Sequence, residues 1–168
     1  MSAQSSIPEE ESVSMETAKQ QVERAVRRIA LLHLAFTKTL IEELGEEKGR
    51  ELTLKAIKDY GKRISGGVRK GVIAQGLDPI PENYGAAGTR NLPEFGTHEL
   101  VERSLRVEGE ERMRAHGCLW AKVWREYGED KLGRLHCYTD PAQYMAFNPN
   151  FKLVHLKAIP DGDDYCEL

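Results

Sequence analysis

Apolar residues in the first third of the chain return with a helical period. Val22, Val26, Ile29, His33, Phe36 and Leu40 follow one another at intervals of four, three, four, three and four, which draws one stripe along a helix. The spacing predicts a long helix from Met15 to near Gly45, a residue suited to the positive φ of a C-terminal cap. A second helix is predicted from Glu46 to about Gln75, with Leu52, Ala56, Tyr60, Ile64, Val68 and Val72 at near-helical spacing. Its Gly66-Gly67 pair marks a bend, a close helix contact or a break, since each interior glycine costs roughly 1 kcal/mol against alanine.

The pattern then changes. Residues 76–97, GLDPIPENYGAAGTRNLPEFGT, hold four glycines and three prolines and no sustained period. A loop of this length is a candidate lid over a site, with a plain surface connection as the alternative. Beyond it the period falls to two: Val101, Leu105 and Val107 share a face of one segment, Met113 and Ala115 share a face of the next, and Glu108-Gly109 lies between the segments, so a β-hairpin is expected. Arg103 is in phase with its apolar neighbours and either escapes at the sheet margin or anchors an acidic group, and the long side chain favours escape. Trp120, Val123, Trp124 and Tyr127 mark a short helix stopped by Gly128, and the aromatic stripe reads as packing. The closing stretch FKLVHLKAIPDGDDYCEL reads as strand, turn and short strand. The class is therefore α+β: two long N-terminal helices packed on a small antiparallel sheet, with short helices inserted between its two hairpins. Residues 1–14, polar, acidic and without period, are expected to be a disordered tail, and 15–168 a single domain.

Composition narrows the function classes. A net charge of −3 with both signs interspersed leaves no basic footprint for nucleic acid, and no stretch approaches the roughly 18 apolar residues of a membrane span. Three widely spaced cysteines, Cys118, Cys137 and Cys166, argue against a secreted disulfide framework and fit a reducing compartment. A cytoplasmic protein with a small-molecule substrate is expected, and a homo-oligomer is compatible with the sequence.

Several side chains carry chemistry. Cys118 follows Gly117 at the first turn of the Trp-rich helix, where the macrodipole can lower a thiol pKa; the alternative is a small buried hydrophobe. Cys137 and His136 are sequence neighbours and point about 100° apart on a helix, so they are not a ready dyad. Asp140 before Pro141 suits an N-cap, and a fixed carboxylate can also serve as a general base. His33 and His155 sit in apolar settings and read first as core residues. His98 and His116 look like loop or strand-edge positions.

From Cys118 onward the chain resembles the L-2-amino-thiazoline-4-carboxylic acid hydrolase family. The features are a cysteine opening a helix, Leu132-Gly133, Cys137 with Asp140, Asn148-Pro149, and Gly162-Asp163 with Cys166. The resemblance implies hydrolytic opening of a cyclic amidine that bears a carboxylate, with no cofactor. Cys118, Cys137, Asp140 and Cys166 are then expected to converge on one pocket, Asp140 as base or orienter and one thiol, Cys137 by preference, as nucleophile or polarising partner. His136 is an acid–base reserve, and Arg103 or Arg90 would hold the substrate carboxylate. The Gly-Asp-x-x-Cys ending also looks like that of small ligand-binding domains of the vinyl-reductase type. A sensor that binds a small ligand, or a soft-metal site built from the thiols and a histidine, is the alternative.

Overall fold

A computed structural model describes residues 12–87 and 97–168. Helix α1 spans Met15–Leu44 and α2 spans Glu46–Ala74, separated by Gly45 at φ 83°, so the predicted pair and its glycine corner are present. The Ser14 hydroxyl caps α1 by accepting the Thr17 N–H at 3.1 Å. A 3-10 helix at Pro81–Ala87 packs back on α2. Strands β1 (Leu100–Val107), β2 (Glu110–His116) and β3 (Cys166–Glu167) form an antiparallel sheet in that order. Between β2 and β3 lie α3 (Leu119–Glu126), α4 (Asp130–Gly133), a 3-10 turn at Arg134–Tyr138, α5 (Thr139–Phe147) and a short turn at Ile159–Asp161. The fold is α+β.

The buried faces of both long helices differ from the apolar stripes. On α1 the buried residues are Val26, Ala30, His33, Leu34 and Thr37, while Ile29 and Phe36 are exposed. On α2 they are Gly49, Thr53, Gly61, Ser65 and Val72, and Tyr60 is exposed. Small residues face inward on α2 because its neighbours come very close. A Cβ on Gly49 would lie 2.6 Å from the Ile41 backbone, and one on Gly61 would lie 2.5 Å from the Thr139 carbonyl oxygen. Gly66 and Gly67 play no such part: the helix runs through them, and a Cβ at either would meet nothing.

The hairpin also departs from simple alternation. Glu102 pairs with Arg114 and Leu105 with Arg112, so β1 carries one extra residue in this interval, with Ser104 at φ 54°. The bulge moves Leu105 and Val107 onto the face of Arg112 and Arg114, leaving Val101 opposite the buried Ala115. The expected closing hairpin is reduced to β3 and a bridge between Lys157 and Glu167. Two residues suffice because Glu167 is buried between two cations: Arg112 Nη1 donates to its Oε1 at 2.8 Å and Arg114 Nε to its Oε2 at 2.6 Å. These charge-assisted bonds add to the backbone ladder.

Two apolar clusters result. One joins Ala30 and Leu34 of α1, Ala115 of β2, Trp124 of α3, Ile159 and Cys166, and the other joins Val72, Tyr84 and Phe147, with Tyr144 stacked on Tyr84. Residues 1–11 and 88–96, which hold most of the expected tail, part of the candidate lid and Arg90, lie outside the described residues. Among the described residues no helix is long and apolar enough to cross a membrane.

The glycine contacts give opposite expectations for one chemical change. Gly133 lies against the indole of Trp124, where an added Cβ would come within 2.1 Å of ring carbons. Gly133→Ala and Gly61→Ala should each lower stability by about 1–3 kcal/mol or more, through overpacking. Gly66→Ala should raise it by about 0.5–1 kcal/mol. Denaturant titration of the three proteins checks both signs.

Candidate functional site

The short helical run from Asp130 to Phe147 is laid against α3 by the Gly133–Trp124 contact, and His33 fixes it from α1 by donating from Nε2 to the Leu132 carbonyl at 2.9 Å. This run carries Arg134, His136, Cys137 and Asp140 past Cys118, which stands at the N-cap position of α3. The third thiol arrives on β3. Cys118, Cys137 and Cys166 pack in the same apolar cluster. As anions they would repel one another and Asp140: Cys137 is affected by Cys118, Cys166 and Asp140, and Cys118 by Cys166 and Asp140. The structure thus places the three thiols and the carboxylate of Asp140 in one neighbourhood. It does not place them as metal ligands, since among the described residues no three His, Cys, Asp or Glu side chains could hold an ion together.

Asp140 is not the cap its sequence suggests. Helix α5 begins two residues earlier than that cap requires, at Thr139, whose hydroxyl donates to the His136 carbonyl at 2.7 Å, so Asp140 lies inside the first turn. The 3-10 turn before α5 already has helical backbone, and Tyr138 takes the N-cap position without a side-chain bond. Among the described residues no hydrogen bond to the Asp140 carboxylate is found. The residue is exposed at the surface, yet many protein atoms surround its carboxylate. Crowding alone pushes its pKa up to about 6.

The thiols are pushed the same way. Burial raises Cys137 to about 12, against the pull of Arg134, and Cys118 to about 11. The expected helix-terminal activation of Cys118 is outweighed: the N–H groups of Ala121 and Trp120 favour its thiolate, but desolvation is the larger effect. Cys166 is the most enclosed, and its sulfur accepts the Ile159 N–H at 3.4 Å. Cys118 and Cys137 keep some accessible surface, so the cluster opens toward solvent on their side.

His136 packs among aromatic rings. Its ring stacks on Trp120 at 4.7 Å and meets the edge of His33 at 5.3 Å, and burial beside His33 lowers its pKa to about 4. Arg103 lies in the bulge of β1, exposed, with its guanidinium toward the Met113 sulfur.

Most features behind the resemblance have a structural task. Gly133 admits Trp124. Asn148 donates from Nδ2 to the Pro79 carbonyl and accepts the Asn150 N–H. Gly162 takes the left-handed turn at φ 104°, which lets the Asp163 carboxylate accept the Ala158 N–H at 2.8 Å. Cys137 and Asp140 are left without such a task. Sequence reasoning passed over Arg134, although it stands between Gly133 and Cys137 in the same stretch. Burial makes it visible: its Nε donates to Asp161 at 2.7 Å, and its charge acts on Cys137, Cys166 and His155.

The profile of the L-2-amino-thiazoline-4-carboxylic acid hydrolase family matches residues 16–168. The chain belongs to this family. No curated protein and no solved structure matches it. The matched span covers both long helices as well as the thiol-bearing end, so the resemblance of the C-terminal third extends to nearly the whole chain. Membership implies a hydrolase acting on the small molecule of the family name.

The shifted groups have opposite effects on stability. His33, His136 and His155 are held below their ordinary value by burial, the last two at about 4. The unfolded chain therefore takes up these protons first, and their stabilising contribution is lost as pH falls from about 6.5 to about 4. Asp140 acts in reverse: the folded chain keeps its proton up to about 6, which favours folding as pH drops toward 4. Melting temperatures should fall across this window, less steeply in His136→Phe. Asp140→Asn should steepen the fall and melt above the parent at pH 7.

Proposed function

We propose that this chain is a hydrolase that opens a small cyclic amidine, L-2-amino-thiazoline-4-carboxylate or a close analogue, with Asp140 as the proton-transferring group. The observation that carries this reading is a carboxylate free of structural hydrogen bonds, exposed yet crowded by protein, close enough to three thiols to act on all of them. A pKa of about 6 suits a base at neutral pH: mostly ionised, yet ready to accept a proton. In this scheme Asp140 takes a proton from water as its oxygen attacks the amidine carbon. The tetrahedral adduct then collapses, the ring C–N bond breaks, and the proton is delivered to the departing nitrogen. The products are a carbonyl on the former amidine carbon and a free amine, so one water is consumed.

The thiols suit a supporting part. Cys137 at about 12 and Cys118 at about 11 are protonated at pH 7, which disfavours direct attack by a thiolate and favours polarisation of the bound ring by neutral S–H groups. Cys137 stands first in this role, with Cys118 and Cys166 packed in the same cluster. His136, neutral and held by stacking, serves as a reserve that positions the 134–140 segment.

Ring opening of L-2-amino-thiazoline-4-carboxylate by the purified protein tests the reading. Asp140→Asn should lower kcat by roughly 10²–10⁴ while remaining folded. It should also abolish an acidic limb of kcat/KM whose apparent pKa lies near 6. Cys137→Ser should lose less. Full turnover in both proteins, or binding without consumption by the parent, defeats the mechanism.

A further inference from the structure

Among the described residues two guanidinium groups carry a buried donor with no partner: Arg112, unpaired at Nε while its Nη groups are held by Glu167 and Glu110 in the sheet, and Arg134, whose charge acts on the thiols. The Arg134 side chain is only 16% exposed, its Nε is committed to Asp161, and its Nη1 is buried with no hydrogen-bond partner. Nearly all buried donors in folded proteins are paired, and an unpaired N–H on a cation is among the most unfavourable exceptions. The guanidinium is held in place: the Tyr138 ring lies 5.1 Å from its centre, and Asp161 fixes its other edge. Its surroundings are the thiols Cys137 and Cys166 and the imidazole of His155, all of which sense its charge. His155, pushed toward its neutral form, accepts no hydrogen bond from this Nη1. The pair to Asp161 also leaves that carboxylate half exposed on the outer side, away from being a complete partner for the whole fork.

We propose that Arg134 is the substrate-carboxylate anchor of this site, its free Nη1 receiving one carboxylate oxygen of the ligand. The assignment rests on the hydrolase reading for its choice of probe. It replaces Arg103, whose place in the β1 bulge puts its guanidinium beside Met113. A carboxylate seated on Arg134 directs the ring attached to it toward Cys137 and Asp140, which follow Arg134 by less than two helical turns. The neighbouring Tyr138 is exposed and can swing aside to admit the ligand. Specificity follows from the unpaired donor: an analogue without the carboxylate leaves it buried and unsatisfied, so the site discriminates against that analogue.

Calorimetric titration with L-2-amino-thiazoline-4-carboxylate and with 2-amino-2-thiazoline, which lacks the carboxylate, tests the anchor. The parent should bind the acid more tightly. Arg134→Gln should lose roughly 10- to 100-fold for the acid and little for the analogue. Asp161→Asn and Arg103→Gln should both keep the preference, which separates recognition from a merely structural ion pair. If Arg134→Gln does not fold, Arg134→Lys becomes the deciding protein: a several-fold loss confined to the acid supports the anchor. Equal affinity of variant and parent for the acid, or no preference in the parent, overturns it. Turnover measured in the same proteins distinguishes the two claims. A parent that binds the acid selectively without opening it defeats the hydrolase reading and leaves the anchor. A parent that opens both compounds equally well does the reverse.

Discussion

The contact on which the site depends is between a missing side chain and the largest one in the core. Trp124 is fully buried, and its indole occupies the volume that any β-carbon at position 133 would need. Around the same ring stand His33 of α1, Trp120 of α3 and His136 of the following turn, at centroid distances of 6.1, 6.3 and 5.8 Å. One aromatic side chain thus ties the first long helix, the short helix carrying Cys118 and the run carrying Cys137 and Asp140. Close packing of this kind transmits small displacements because protein interiors have little spare volume.

A second tie comes from the opposite direction. Strand β3 is too short for its backbone bonds alone to fix it, and the buried Glu167 between Arg112 and Arg114 supplies the rest. Cys166 precedes Glu167 directly, so the ion pair in the sheet also seats the third thiol. An ion pair in this enclosed position is strongly destabilising to break, whatever its net worth when intact. Gly61 provides a third constraint, since α5 could not lie so close to α2 if that position carried a side chain.

Much of the fold was legible because helical period, glycine corners and alternating strands are local signals. Gly45, Gly128 and the Glu108-Gly109 turn stand where the residue types require. The failures are equally local in cause. The stripe through Ile29 and Phe36 has helical spacing, yet α2 and α3 meet α1 on the neighbouring face, and small residues such as Ala30 and Thr37 cannot be recognised as buried from their type. The β1 bulge is set by pairing with β2, so alternation along β1 alone could not reveal it. Asp140 was misread as a cap because the helical turn before it is irregular in sequence and regular in backbone. The thiol neighbourhood was legible through the family resemblance alone, because proximity between residues 118, 137 and 166 is a tertiary fact. Arg134 escaped notice because sequence does not tell a buried guanidinium from a solvated one.

The desolvated state of the cysteines has a bearing on the protein's durability. Sulfur is oxidised and alkylated mainly as its anion, and a group raised to about 11 or 12 exposes only a vanishing fraction of that form in neutral solution. Three neighbouring sulfurs that would otherwise invite peroxide damage or internal bridging are kept chemically quiet by the hydrocarbon around them. The same enclosure that withholds a strong nucleophile therefore also slows attack on the sulfurs by oxidants.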